Sequence, residues 1–333
     1  MARKVTIQDI SRHAKTSPST VSRVLTGNAT VSPEKREAVE NAIRTLNYRP
    51  SQIARSLKTR TSLTVGLLLN DITNPFYSAI ARGAEDEAQM HGYSLMLCNT
   101  NEDPAREHHY LQVLQDKHID GIMLGPTGEN VAYLYELASR VPLVQIDRRL
   151  VDLRAPSVTV DNQQATYAAT QLLIQRGHRH IGLITLNRNV TSLNQRYTGY
   201  LQALDDAGLP HNPNFVLRVK PISPQEIAPL VSVFLAENPT LTAVLALNNP
   251  LGLGLIAALQ AAGMKIPHDK AVIVFDHLEI FALMQPSISS IDQPAYALGQ
   301  QAMKLLLAYL QAEPPAEPQH IVLPTRLMVR QSI

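Results

Sequence analysis

The 333-residue chain contains a single cysteine, Cys98. An intrachain disulfide is therefore impossible, a cysteine-rich zinc module is excluded, and a lone thiol fits a reducing compartment. No apolar stretch approaches the ~18 residues of a membrane helix. The charged start Met1-Ala2-Arg3-Lys4 leads into Thr6, Gln8 and Asp9, not into the apolar centre of a secretory signal. The expectation is a cytoplasmic protein with no membrane partner. Catalytic signatures are missing as well. There is no G-x-S-x-G elbow, no P-loop and no Cys/His nucleophile pattern, so no catalytic residue and no enzyme activity are expected. His108-His109 and His178-Arg179-His180 lack both the i, i+4 helical spacing and a companion cysteine, so no metal site is expected. Gly252-Leu253-Gly254-Leu255-Ile256-Ala257 fits a G-x-G-x-x-A fingerprint, but Asn248-Asn249-Pro250-Leu251 comes first. The glycines then fall inside a helix instead of at its mouth, and no dinucleotide or other cofactor is expected.

What is present is a globular composition, 45% apolar and 17% charged, long enough for two or three domains. The formal net charge of +2 conceals a division. Residues 1–60 carry twelve Lys/Arg and four acids, a net +8; the remainder carries 18 bases and 24 acids, a net −6. A compact basic head on an acidic body is the electrostatic footprint of a nucleic-acid binder, although a solvated basic surface gives the same count.

In the head, Thr6-Ile7-Gln8-Asp9 reads as a capping box, and Ile7, Ile10 and Ala14 follow at helical spacing to an end near Ala14-Lys15. Ser17-Pro18 opens a second helix with a buried stripe of Val21, Val24 and Leu25, stopped at Gly27-Asn28. Ser32-Pro33 opens a third, with Ala38, Val39, Ala42, Ile43 and Leu46 on its apolar face, and Pro50 ends that region. Three short helices with a tight link between the first two form a helix-turn-helix layout, whose second helix lies in the major groove of DNA. Ser17, Pro18, Ser19 and Arg23 are placed to meet base edges, and Arg23 can reach a guanine in bidentate fashion. Thr20, Ser22 and helix N-terminal amides suit phosphates. A small helical bundle with a solvated polar face would show the same pattern.

The run Thr6–Ala14, then Ser17-Pro18-Ser19-Thr20-Val21-Ser22-Arg23-Val24-Leu25, Val31-Ser32 and Leu46-Asn47-Tyr48-Arg49-Pro50, resembles the DNA-binding head of the lactose-repressor family of bacterial transcription regulators. The resemblance continues through residues 4–333. It implies DNA contacts at Thr6, Ser17, Pro18, Ser19, Thr20, Ser22, Arg23, Asn28 and Tyr48. It also implies a hinge helix, ordered when two copies meet on DNA, with Leu57 as an apolar wedge in the minor groove, Ala54 small enough for close approach, and Lys58 beside them. An ordinary linker would carry the same residues.

From Leu63 apolar runs alternate with amphipathic stretches. The strand-like runs are Val65–Leu69, Leu95–Leu97, Gly121–Leu124, Leu143–Ile146, Ile181–Ile184, Ala243–Leu247 and Ala271–Phe275. Helical stretches include Phe76–Met90, Arg106–Lys117, Ala165–Arg176, Arg196–Ala207 and Pro250–Ala262. This alternation predicts an α/β fold of parallel sheets covered by helices, with enough strands for two lobes. Ligands in such folds bind beyond the carboxyl ends of the strands. Those ends carry Asn70-Asp71, Asn99-Thr100, Pro126-Thr127, Asp147-Arg148-Arg149, Asn248-Asn249 and Asp276, with Phe76 and Tyr77 close by. Planar polar groups can bracket vicinal hydroxyls and aromatic faces can stack on sugar rings; each Asp or Asn alone also suits a helix N-cap.

By resemblance, this body is a two-lobed type I periplasmic-binding fold that takes a small effector, a carbohydrate or sugar acid or phosphate, between the lobes. The effector residues so implied are Asp71, Phe76, Tyr77, Asp147, Arg196, Asn248, Asp276 and Gln293. The domains expected are a helix-turn-helix head over 1–49, a hinge over 50–62 and an effector-binding and dimerisation core over 63–333. The N-lobe is expected over about 63–160 plus 293–322, and the C-lobe over about 161–292 plus 323–333. The expected assembly is a homodimer on a pseudo-palindromic operator, since two-fold protein symmetry matches two-fold site symmetry. Three departures from the family pattern stand out. Asn249 replaces the second member of an Asn-Asp pair, His277 follows Asp276 where a glycine and a second acid are usual, and Asp292 precedes Gln293. Arg148-Arg149 could add positive charge near the pocket and so favour an anionic sugar, a sugar acid or phosphate; a surface pair would read the same. A sugar receptor without DNA function is the alternative.

Overall fold

The computed structural model describes residues 5–25, 30–48, 61–220, 223–311 and 317–333. The chain divides into two compact units, 1–62 and 63–333. In the first, α1 (Ile7–His13), α2 (Pro18–Leu25) and α3 (Pro33–Thr45) close over Ile10, Val21, Val24, Val39 and Ala42. The capping box is present, with the Asp9 amide donating to Thr6 Oγ1 and the Thr6 amide to the Asp9 carboxylate at 2.9 Å. Between α1 and α2 the chain turns through Lys15 in the left-handed region, and Ser11 Oγ donates to the Thr16 carbonyl at 2.6 Å. The third helix ends before Pro50. It stops at Thr45, and Asn47, at φ 48°, turns the chain out of it. Asn tolerates this conformation because its short side chain bonds locally.

The second unit holds two six-stranded sheets. The N-lobe sheet runs β11-β5-β4-β3-β1-β2, all parallel, from β1 (Thr64–Leu69), β2 (Ser94–Asn99), β3 (Gly121–Leu124), β4 (Leu143–Ile146), β5 (Ser157–Val160) and β11 (His320–Leu323). The C-lobe sheet runs β12-β10-β9-β8-β6-β7, from β6 (Ile181–Leu186), β7 (Val216–Val219), β8 (Ala243–Ala246), β9 (Ala271–Phe275), β10 (Ser289–Asp292) and β12 (Arg326–Met328). β12 corrects the all-parallel expectation, because it pairs antiparallel with β10. Five strands beyond the seven apolar runs, β5, β7, β10, β11 and β12, complete the sheets.

Helices α4 (Pro75–Met90), α5 (Pro104–Asp116) and α6 (Val131–Ala138) follow the early N-lobe strands. In the C-lobe come α7 (Asn162–Gln175), α8 (Thr191–Asp206), α9 (Pro224–Glu237), α10 (Asn249–Ala261) and the short α11 (Ile280–Leu283). The chain then returns to the N-lobe as α12 (Ala295–Gln311), which packs on α4. That crossing is close: a Cβ on Gly299 would lie 1.9 Å from the Ile80 carbonyl oxygen, and one on Gly83 2.0 Å from that of Tyr296. Gly252 and Gly254 serve the same end inside α10, where a Cβ would strike Val274 or Ile227. They are packing glycines.

Candidate functional site

The carboxyl ends of both sheets face a cleft of about 530 Å³. Its lining brings together all eight residues expected to hold an effector: Asp71, Phe76, Tyr77, Asp147, Arg196, Asn248, Asp276 and Gln293. Asp147 directly follows β4 and Asp276 directly follows β9, each strand third in the order of its sheet, and both adopt left-handed φ values, 67° and 73°. The two lobes thus present matched carboxyls on strained turns. Burial raises both carboxyls above their ordinary range, although Arg148 and Arg196 oppose it at Asp147, and Arg196 and Gln293 oppose it at Asp276.

Each side chain is fixed by its neighbours. Arg196, on α8, lies with its guanidinium 3.5 Å over the Phe275 ring. Its Nε donates to Asn162 Oδ1 and its Nη1 to the Leu247 carbonyl, each at 2.7 Å. Burial pulls its pKa below the usual arginine value. Gln293 Nε2 donates to Asp276 Oδ1 while its own Oε1, buried, has no partner. Phe76 meets Tyr77 edge-on at 5.0 Å. Tyr77 is no open stacking face: its ring is in the N-lobe core, and its hydroxyl donates to Asp147 at 3.4 Å and accepts from Arg148 Nη2 at 3.1 Å. Asp71 Oδ1 holds the turn through the Thr73 amide at 2.9 Å. Asn248 lines the cleft and also caps α10, accepting from the Leu251 amide at 2.9 Å, so the helix-cap reading holds for it.

The second wall joins Arg148, marked in the sequence, to Glu102 and Arg188, which were not. Arg148 is buried and grips Glu102 with Nη1 at 2.9 Å and Nη2 at 2.6 Å, and its Nε lies 3.4 Å from Asp147. Arg188, from the C-lobe, reaches the same carboxylate at 3.3 Å and the Glu102 carbonyl at 2.7 Å. Burial pushes Glu102 up, but Arg148, Arg188 and Asn70 outweigh it and leave its carboxyl below the usual range. The hint of free positive charge at Arg148-Arg149 is thereby corrected. Arg148 is neutralised by carboxylates, and Arg149 is not part of the lining. Glu102 and Arg188 carry no motif. Only the neighbouring Asn99-Thr100 marked the loop of Glu102.

The departures also find places. Asn249 exchanges two hydrogen bonds with Asn74. His277 Nδ1 lies 3.0 Å from Ser290 Oγ, and Asp292 sits opposite Arg326 in the β10–β12 ladder.

In the head, Ser17, Pro18, Ser19 and Arg23 are exposed and Thr20 and Ser22 half-buried, all at or on the first turns of α2. Ser17 Oγ accepts from the Thr20 amide at 3.2 Å, capping α2. The Thr6 hydroxyl is engaged in its own capping box, and Tyr48 packs against the head's core. Asn28, Ala54, Leu57 and Lys58 lie outside the described residues. Among the described residues no cluster of His, Cys, Asp and Glu is placed to hold a metal, and no helix is long and apolar enough to cross a membrane.

A helix-turn-helix unit followed by a two-lobed core with a polar inter-lobe cleft defines a DNA-binding regulator of the ligand-responsive class. Residues 6–51 match the family model of bacterial regulatory proteins, lacI family. Residues 62–330 match that of periplasmic binding proteins and the sugar-binding domain of the LacI family. The chain belongs to the LacI family of transcriptional regulators. It is 34% identical to a ribose operon repressor of Halalkalibacterium halodurans, over 98% of this chain and 96% of that protein. A transcriptional regulator CelR–cellobiose complex matches 99% of this chain and all of that one, with 28% identity and a TM-score of 0.74. The lac repressor dimer bound to operator and anti-inducer shares the fold, at a TM-score of 0.87 with 23% identity over 99% of both chains.

Proposed function

We propose that this regulator is a cytoplasmic repressor that binds its operator as a homodimer and takes a neutral sugar in the inter-lobe cleft. On this reading residues 1–49 read DNA, 50–62 form the hinge, and 63–333 bind the effector and dimerise. It acts by binding, without turnover. Ser17, Pro18, Ser19 and Arg23 meet bases, and Thr6, Thr20, Ser22, Asn28 and Tyr48 hold the backbone. Ala54, Leu57 and Lys58 serve the hinge.

One observation carries the choice of a neutral effector. The cleft lining sets four carboxyls, Asp71, Glu102, Asp147 and Asp276, against the guanidiniums of Arg148 and Arg196; Glu102 binds Arg148 and, behind it, Arg188, which leaves Arg196 as the lining cation facing Asp71, Asp147 and Asp276. An added phosphate or carboxylate would meet uncompensated negative charge, whereas a polyol offers hydroxyls that donate to Asp147, Asp276 and Gln293 Oε1 and accept from Arg196. The related regulators named for ribose and seen with cellobiose agree with this class. A thermal-shift screen of the purified protein tests it, since a ligand of the folded state raises Tm by mass action. Neutral sugars are expected to raise Tm and sugar phosphates and sugar acids to leave it unchanged. A shift with the anionic sugars alone would overturn the reading.

A further inference from the structure

The cleft is bridged by the chain's own side chains on both sides. On one side Asn74, at the N-terminus of the N-lobe helix α4, faces Asn249, the first residue of the C-lobe helix α10. Asn74 Nδ2 donates to Asn249 Oδ1 at 3.0 Å, and Asn249 Nδ2 donates to Asn74 Oδ1 at 2.9 Å. Neither amide can turn over without loss. Asn74 Oδ1 also caps α4 through the Phe76 amide at 3.0 Å, so its orientation is fixed, and Asn249 is 97% buried by its 3% residual exposure.

On the other side three contacts join the lobes. Arg188 binds the Glu102 carboxylate and carbonyl. The Arg149 amide donates to Thr191 Oγ1, and that hydroxyl donates back to the Arg149 carbonyl, both at 3.0 Å. Gly128 sits where a Cβ would lie 3.4 Å from the Asn189 carbonyl oxygen, so the two loops run in contact.

We propose that these contacts form a two-sided latch, Asn74–Asn249 on one flank and Glu102–Arg188 with Arg149–Thr191 on the other, which holds the lobes closed without an effector. This rests on the reading of the cleft as the effector site and adds to it how that site is regulated: closure is supplied by the chain, and the effector acts on a core already shut. The departure at position 249 is what makes the first flank reciprocal. An aspartate there accepts but cannot donate, which would leave Asn74 Oδ1 facing a carboxylate. That carboxylate would also stand beside Asp276, whose Oδ2 accepts from the Asn249 amide at 3.4 Å. Population of a closed state is set by contacts made in that state and broken in the open one, and contacts between the chain's own lobes count as fully as a ligand's.

The experiment is a spin-label distance measurement on the full chain without effector or DNA. Labels are placed through Glu129→Cys in the N-lobe and Lys220→Cys in the C-lobe, both exposed. Cys98 is kept, because burial pushes its thiol up to about 11 and shields it from the reagent. Labelled protein is diluted into unlabelled protein so that distances within one chain dominate. The expected result is a single short distance in the parent, and a longer, broader distribution in Asn249→Asp and in Arg188→Met, with the double variant furthest displaced. Circular dichroism of the same samples confirms that each is folded. A long or broad distribution in the parent overturns the latch, and so does a double variant with the parent's distribution. The readout uses neither sugar nor operator, so its failure and that of the sugar-effector reading are separate results.

Discussion

Glu102 joins Arg148 and Arg188 around one carboxylate that is 15% exposed, and removing one partner of such a group strands the other charge. Glu102→Gln is expected to cost about 3 kcal/mol of stability at neutral pH, read by urea unfolding. Its pH dependence has a definite sign. The carboxyl sits below its unfolded value, so the ionised form stabilises the native state fully at neutral pH. That contribution is lost as pH falls through and below the ordinary glutamate value of about 4.3. The gap between parent and variant should therefore narrow on acidification, and a gap that stays constant from pH 7 to pH 3.5 would contradict the ion-pair account. At this scale the site was half legible. Asp147 and Asp276 were readable because polar residues at strand ends face the cleft in this architecture, and Arg196 and Gln293 through the family resemblance alone. Glu102 and Arg188 were not, because they come from loops far apart in sequence whose meeting depends on lobe closure. Asn249 was visible as an oddity, but its partner could not be named without the lobes in place.

At the level of elements, apolar runs of four or more marked the central strands well: Gly121–Leu124, Leu143–Ile146 and Ala271–Phe275 lie as read. The five additional strands are short and mixed in polarity, as in Ser289-Ser290-Ile291-Asp292 and Arg326-Leu327-Met328. Three of them, β7, β11 and β12, are sheet edges, half open to water, where a continuous apolar run is not required. Proline and cap residues set the helix starts: Asn74, Asp103, Ser223 and Asn248 each accept a first-turn amide with a proline at N1 or N2. The α4–α12 crossing depends on glycine for space. Gly299→Ala would press a methyl against the Ile80 carbonyl, a backbone atom that cannot rotate away. The expected loss is about 3 kcal/mol, at the upper end for overpacking, measured as a fall in Tm of the full chain. An unchanged Tm would mean that the two helices separate at little cost.

The whole molecule divides its charge as it divides its work, with +8 over residues 1–60 and −6 over the rest. Counterion release makes DNA affinity fall with salt in proportion to the phosphates neutralised. The full chain should bind duplex DNA with a steep salt dependence, losing roughly a thousandfold or more between 50 and 200 mM for about six phosphate contacts. The fragment 63–333 should show no binding and hence no slope, as followed by fluorescence anisotropy. Comparable binding by the fragment would place the DNA surface on the wrong unit. The order in which these units can be completed follows from the path of the chain. The head's hydrophobic centre needs nothing beyond Tyr48, whereas the first sheet lacks its last strand until Leu323 and its covering helix until Gln311. At roughly 5–20 residues per second on the ribosome, the head precedes the N-lobe by about 15 to 55 seconds. During translation the DNA-reading unit is thus finished long before either half of the apparatus that controls it, and the N-lobe's early strands wait with an open edge while the C-lobe's βα units are synthesised. A nascent chain stalled before residue 295 would carry a complete head on an unfinished core.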